Sequence, residues 1–162
     1  MKRIQLSDYS YALCSDEDFD YLDQFLWCLN HGYVELSNQH VSMHSLIAKR
    51  MGLVLKDDQT IDHKDQNKKN NQRDNLRPAT QQEQNCNRSK RSGQTSKYKG
   101  VRWHPIKKKW LVEIRVGNDE KVHLGVFDNE EEAARIYDRS AKRNFGEFAV
   151  FNFPEEQCSV AK

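Results

Sequence analysis

The sequence predicts an α+β chain built as two small units, the second a three-stranded antiparallel sheet packed on one α-helix. Two period-two runs followed by one helical run mark that second unit. A polar strand–loop–strand–helix pattern at 58–88 and a charge reversal along the chain mark the division. Of the 162 residues, 36% are apolar and 31% charged, so each core must be modest.

The first unit, 1–57, opens on a short apolar piece at Tyr11-Ala12-Leu13. Asp18 to Leu29 reads as one amphipathic helix through Phe19, Leu22, Phe25 and Leu26. After His31-Gly32 come two β-like pieces, Tyr33–Leu36 and His40–Met43, then a helix over His44–Met51 stopped by Gly52. Residues 58–90 are rich in Asn and Gln. Within them Thr60–His63 and Asn75–Arg77 look like strands around a long polar loop, and Thr80 with Glu83 forms a capping box opening a helix. An apolar-free basic linker over 89–96 follows.

The remaining elements are the plainest. Lys97 to His104 makes a first strand. Trp110, Val112, Ile114 and Val116 alternate with Lys109, Leu111, Glu113 and Arg115 in a second, and Val122, Leu124 and Val126 alternate with Lys121, His123 and Gly125 in a third. Gly117-Asn118-Asp119-Glu120 supplies the turn between these two. Asp128 or Asn129 caps a helix with Glu130, Glu131 and Glu132 in its first turn, where negative charge suits the dipole. Ala133, Ile136, Tyr137, Ala141 and Phe145 line one face, and Gly146 ends it. Residues 155–162 form a tail.

The net charge of +2 conceals a strong pattern. Residues 1–30 carry two basic and six acidic side chains, 64–110 carry fourteen and three, and 117–156 carry five and ten. A basic middle between acidic ends suits a polyanion laid across the centre. The four cysteines show no Cys-x-x-Cys spacing, which argues against structural zinc and disulfides and fits a reducing cytosol. No apolar run approaches the roughly 18 residues of a membrane span, and no secretory signal is evident.

Asp62-His63 at a strand end, Asn75 at the start of the next strand and Gln84-Asn85 on a helix suggest phosphodiester chemistry. Histidine titrates near neutrality and can activate water. A carboxylate with an amide oxygen makes a hard oxygen site, suited to Mg²⁺ or Mn²⁺. Ile61-Asp62-His63, Asn67, Asn71 through Thr80 and Gln84 through Arg88, together with His31-Gly32-Tyr33 and Met43-His44-x-Leu46-Ile47, resemble the His-Asn-His homing endonucleases of phages and bacteria. The resemblance covers 1–88, with a ββα-metal (His-Me finger) core at 58–88. It implies a metal ligand at Asp62, a general base at His63 and a loop-bracing middle Asn at Asn75. Counted from Asp62 the helix ligand falls at Gln84, with Asn85 one residue on. Helix neighbours point about 100° apart, so only one of the two can take that role.

Ser96-Lys97-Tyr98-Lys99-Gly100-Val101-Arg102, Trp110-x-x-Glu113-Ile114-Arg115, His123-Leu124-Gly125-x-Phe127, Glu131 through Ala134 with Tyr137-Asp138, and Asn152-Phe153-Pro154 resemble the plant Apetala-two/ethylene-response-factor domain. This second resemblance covers 97–154. It implies a sheet face in the DNA major groove, with Lys99, Arg102, His104, Glu113, Arg115, Lys121 and His123 at the contact positions.

Together these readings lead to the expectation of a monomeric, Mg²⁺- or Mn²⁺-dependent homing endonuclease acting on double-stranded DNA in the cytoplasm of a bacterium or phage-infected cell. The alternative from the same residues is a DNA-binding transcriptional regulator whose nuclease fold has decayed.

Overall fold

The computed structural model describes residues 1–88, 93, 95–117 and 120–158. Most of the expected linker, Ser89–Ser92 with Gln94, and the turn residues Asn118-Asp119 lie outside them. The chain divides into two compact units, Met1–Gln81 and Gln82–Lys162, so the break falls one residue into the helix Gln81–Asn87 rather than at the linker expected over 89–96.

In the first unit, β1 (Lys2–Gln5) pairs antiparallel with β2 (Tyr11–Cys14). Helix α1 (Asp16–Leu22) follows with Asp16, Glu17 and Asp18 in its first turn. The helix expected to run to Leu29 ends at Leu22, because Trp27–Asn30 is strand β3, paired with β4 (Tyr33–Leu36). The two strands meet at Asn30 and Tyr33 across His31-Gly32, whose φ values are 47° and 82°. Positive φ at both central residues is the turn that matches strand twist, and Gly32 adopts it without strain. Trp27 is buried and its Nε1 donates to the carbonyl of Leu22, closing the end of α1. Of the strand expected at His40–Met43, only a single bridge from Ser42 to Glu35 forms.

Helix α2 (Met43–Arg50) ends close to its expected stop, with the N–H of Gly52 on the carbonyl of Lys49. β5 (Gln59–His63) pairs antiparallel with β7 (Leu76–Thr80), and between them β6 (Asn70–Asn71) adds parallel to β2. Ile4, Leu6, Leu22, Trp27, Val34, Met43, Ile47 and Leu76 form the core. Against it lies a charged cluster: Asp18 is fully buried, Arg73 donates from Nε (2.6 Å) and Nη2 (2.8 Å), and Arg50 from Nε (2.8 Å).

The second unit contains α3 (Gln81–Asn87, all but its first residue) and a sheet ordered β10-β9-β8. β8 (Val101–His104), β9 (Lys109–Val116) and β10 (Glu120–Phe127) are all antiparallel, and α4 (Glu130–Phe145) covers one face. Asn129, not Asp128, is the cap: its side chain accepts from the N–H groups of Glu131 (2.8 Å) and Glu132 (3.0 Å). Val101, Val112, Ile114, Ala133, Ala134, Tyr137 and Ala141 form the core.

β10 departs from strict alternation. His123 faces Glu113 while Gly125 faces Val112, so Leu124 is an extra residue in a bulge. Beyond it Val126 pairs with Leu111 and Phe127 with Trp110, which places Val126 on the polar face and turns Phe127 inward. A short α5 (Pro154–Cys158) lies in the region expected to be tail. The buried Asp138 holds the chain before it, accepting from the N–H groups of Asn152 and Phe153, each at 2.9 Å.

Candidate nucleic-acid interface

Strand register decides which side chains share the sheet face opposite α4. Lys121 lies across from Arg115, His123 from Glu113, Arg102 from Leu111 and His104 from Lys109. Cross-strand partners stand on one face. Arg102, His104, Glu113, Arg115, Lys121 and His123 are thereby brought together from three strands. Leu111 is a buried apolar floor within the same face.

Arg102 and Glu113 are joined as a fork, Nε to Oε2 at 3.1 Å and Nη2 to Oε1 at 3.5 Å. The guanidinium bonds hold the Glu113 carboxyl below its ordinary value. With side-chain exposures of 53% and 30%, the pair is a surface one and contributes at most about 1 kcal/mol. It orients the guanidinium outward yet releases it at small cost to another planar acceptor, such as a guanine edge.

Lys99 stands elsewhere. It precedes β8, and its Nζ donates to the carbonyls of Cys86 and Arg88, each at 2.7 Å. Burial pushes its ammonium below the usual lysine value. The sequence offers one signal for this: Gly100 breaks the strand pattern, so parity does not carry back to Lys99.

The first unit distributes its expected site residues differently from the nuclease reading. Arg77 donates to Asp62 Oδ2 from Nε (3.1 Å) and Nη2 (3.0 Å) across the β5–β7 pair. A guanidinium therefore occupies the carboxylate edge where a divalent ion was expected. His63 is buried, with Nε2 3.2 Å from Asn71 Oδ1, and burial pushes its pKa down. Asn75 braces the loop: its Nδ2 donates to Asp65 Oδ1 (2.9 Å) and the carbonyl of Asn70 (2.7 Å), and its Oδ1 accepts from the Asp65 N–H (3.1 Å). Gln84 and Asn85 lie on α3, in the second unit. No group of three or more His, Cys, Asp or Glu able to hold a metal ion occurs among the described residues.

His44 sits 5.3 Å from the His63 ring and 5.5 Å from that of Tyr33, and burial, then His63, lowers its pKa to about 4. A folded pKa below the unfolded value of 6.5 means full stability above about pH 6.5, lost as pH falls towards 4. Urea unfolding followed through the Trp27 indole proton should show the first unit losing up to about 3 kcal/mol across that window. His44→Gln should flatten the loss; an unchanged pH slope in that variant would rule out His44 as its source.

Residues 96–147 match the AP2 domain. Over 68 residues the chain is 44% identical to Ethylene-responsive transcription factor ERF017 of Arabidopsis thaliana, covering 40% of this chain and 35% of that protein. Dehydration-responsive element-binding protein 2A of the same plant is 36% identical over 85 residues, 51% of this chain and 25% of that protein. APETALA2-like protein 2 of Oryza sativa subsp. japonica is 45% identical over 69 residues, 41% of this chain and 15% of that protein. The chain thus spans about a third or less of the length of these relatives.

These matches support the AP2/ERF resemblance over the second unit, and they correct the nuclease reading. The relatives are plant transcription factors, not hydrolases, and the ββα-metal fold expected at 58–88 finds no support among them. The expectations of an endonuclease, of Mg²⁺ or Mn²⁺ as cofactor, and of a bacterial or phage-infected cytoplasm are overturned with it. Asp62 accepts from Arg77, and Asn75 ties down the Asn-rich loop by hydrogen bonds. No helix among the described residues is long and apolar enough to cross a membrane.

Proposed function

Because residues 96–147 form an AP2 domain, we propose that this chain is a sequence-reading DNA-binding regulator of transcription, acting on double-stranded DNA through the sheet face opposite α4. The observation that supports this reading is the register that gathers Arg102, His104, Glu113, Arg115, Lys121 and His123 onto one face. Three antiparallel strands present a surface that fits the major groove, where arginine donates to guanine and glutamate accepts from cytosine. Val126, on the same face, adds apolar area suited to a thymine methyl.

Duplexes selected from random DNA, titrated by fluorescence anisotropy at fixed salt, test the proposal. Arg102→Ala and Arg115→Ala should each weaken binding to the selected site by about 1–3 kcal/mol, roughly tenfold to a hundredfold, and relax preference at one position. Asn144, exposed on α4 away from this face, provides a control: Asn144→Ala should bind within a factor of about two. Wild-type affinity and preference in both arginine variants would remove the face from the reading.

A further inference from the structure

Lys99 is the one expected DNA contact that the fold turns away from the reading face, and its surroundings give it another task. Its backbone is clasped on both sides by Asn152, which accepts the Lys99 N–H at 2.7 Å and donates to the Lys99 carbonyl at 3.2 Å. Asn152 is fixed in turn by the buried carboxylate of Asp138 on α4, 3.0 Å away. From this rigid point the side chain reaches the carboxyl end of α3, where the Cys86 and Arg88 carbonyls receive its ammonium. The last carbonyls of a helix have no partners within it, and a cation there also complements the dipole. Cys86 and Asn87 are buried beside this contact.

We propose that the DNA-binding module of this chain begins at α3, not at Ser96, and that Lys99 fastens it there by capping the helix with its ammonium. The surface around Lys99 is thus an intramolecular docking site for residues 82–88 rather than part of the DNA interface. The inference rests on the function proposed above only in locating that interface; the docking itself is independent of DNA.

Hydrogen exchange on the full chain, with duplex titrations over a salt series, tests it. In the wild type, amides of residues 85–88 should open together with those of β9 as urea is raised, behaving as one cooperative unit. In Lys99→Met those amides should exchange about tenfold faster or more, with Lys99→Arg closer to wild type. The slope of log K against log salt should be unchanged in Lys99→Met, whereas loss of a phosphate contact lowers its magnitude by about one. Independent opening of 85–88 in the wild type, unaltered exchange in Lys99→Met, or a lowered slope would each overturn the proposal. Should Lys99→Met fail to fold, the wild-type exchange decides alone. A chain that binds no duplex at all would count against the proposed function, while exchange would still decide the docking.

Discussion

Gly100→Ala should unfold the sheet-and-helix unit and abolish DNA binding while leaving the first unit folded. Gly100 has φ +74°, a region that an alanine enters only at a cost of about 1–2 kcal/mol. A Cβ there would stand 2.0 Å from Tyr137 Cδ2, 2.2 Å from its Cε2 and 2.9 Å from the Glu113 carbonyl oxygen. Neither neighbour can yield easily. The Tyr137 ring is buried in the core, and the Glu113 carbonyl belongs to the central strand, whose N–H at that residue donates to the Gly100 carbonyl at 2.9 Å. Overpacking adds about 1–3 kcal/mol, so the sum approaches the whole stability of a small domain. Urea unfolding followed by Trp103 and Trp110 fluorescence measures it, with the Trp27 indole proton reporting the first unit. A second unit that melts as in the wild type would show that β8 can shift to make room.

Asp18→Ala carries the largest expected effect in the first unit, about 3–5 kcal/mol. The carboxylate is fully buried on α1 and receives three hydrogen bonds from Arg73, at the β6–β7 junction, and Arg50, on α2. Deleting one partner of a buried ion pair leaves the others desolvated without compensation. Arg50 and Arg73 keep side-chain exposures of 36% and 25%, so water can recover part of the loss and the lower end of the range is expected. Burial alone would raise the Asp18 pKa; the two guanidinium groups outweigh it and hold the carboxyl below 3.8. A depressed folded pKa gives stability that is complete above the unfolded value and lost as pH falls through the folded one. Asp18→Ala should therefore also remove an acid-unfolding component below about pH 4. Equal urea midpoints for variant and wild type at pH 7 would refute the clamp.

The parts of the fold legible in the sequence are those where local and tertiary preferences agree. Trp110 through Val116 alternate cleanly, Asn129 caps α4, and Gly52 marks the end of α2. Residues 18–29 misled because Phe19, Leu22, Phe25 and Leu26 fall at helical spacing. Pairing of Trp27–Asn30 with Tyr33–Leu36 outweighed that local period, and its signal, His31-Gly32 between two apolar runs, is a hairpin turn. β1 offered little to read, since Ile4 is its single buried residue. The shared sheet face was legible by strand parity, which places Glu113 and Arg115 together. Parity failed at Lys99, outside the strand, and at Val126, beyond the bulge that Gly125 accompanies.

The nuclease expectation failed for a different reason. Asp, His and Asn at loop edges serve metal chemistry in one setting and tie down a polar loop in another, and residue types alone do not separate the two. Arg77 was in view as the end of a short strand. Its reach back across the strand pair to Asp62 exists only once Asp62 and Arg77 face one another in register.

The extra residue at Leu124 has a consequence for how a duplex is met. Without it Val126 would turn inward and the Phe127 ring would stand on the outer face. With it, Phe127 packs inward and Val126 joins buried Leu111 and exposed Arg102 on the outer face, while Arg115 and Lys121 stand at the far end. Rotating such a surface by half a turn does not reproduce it. Under the function proposed above, such a face would meet the two directions along a double helix with different side chains.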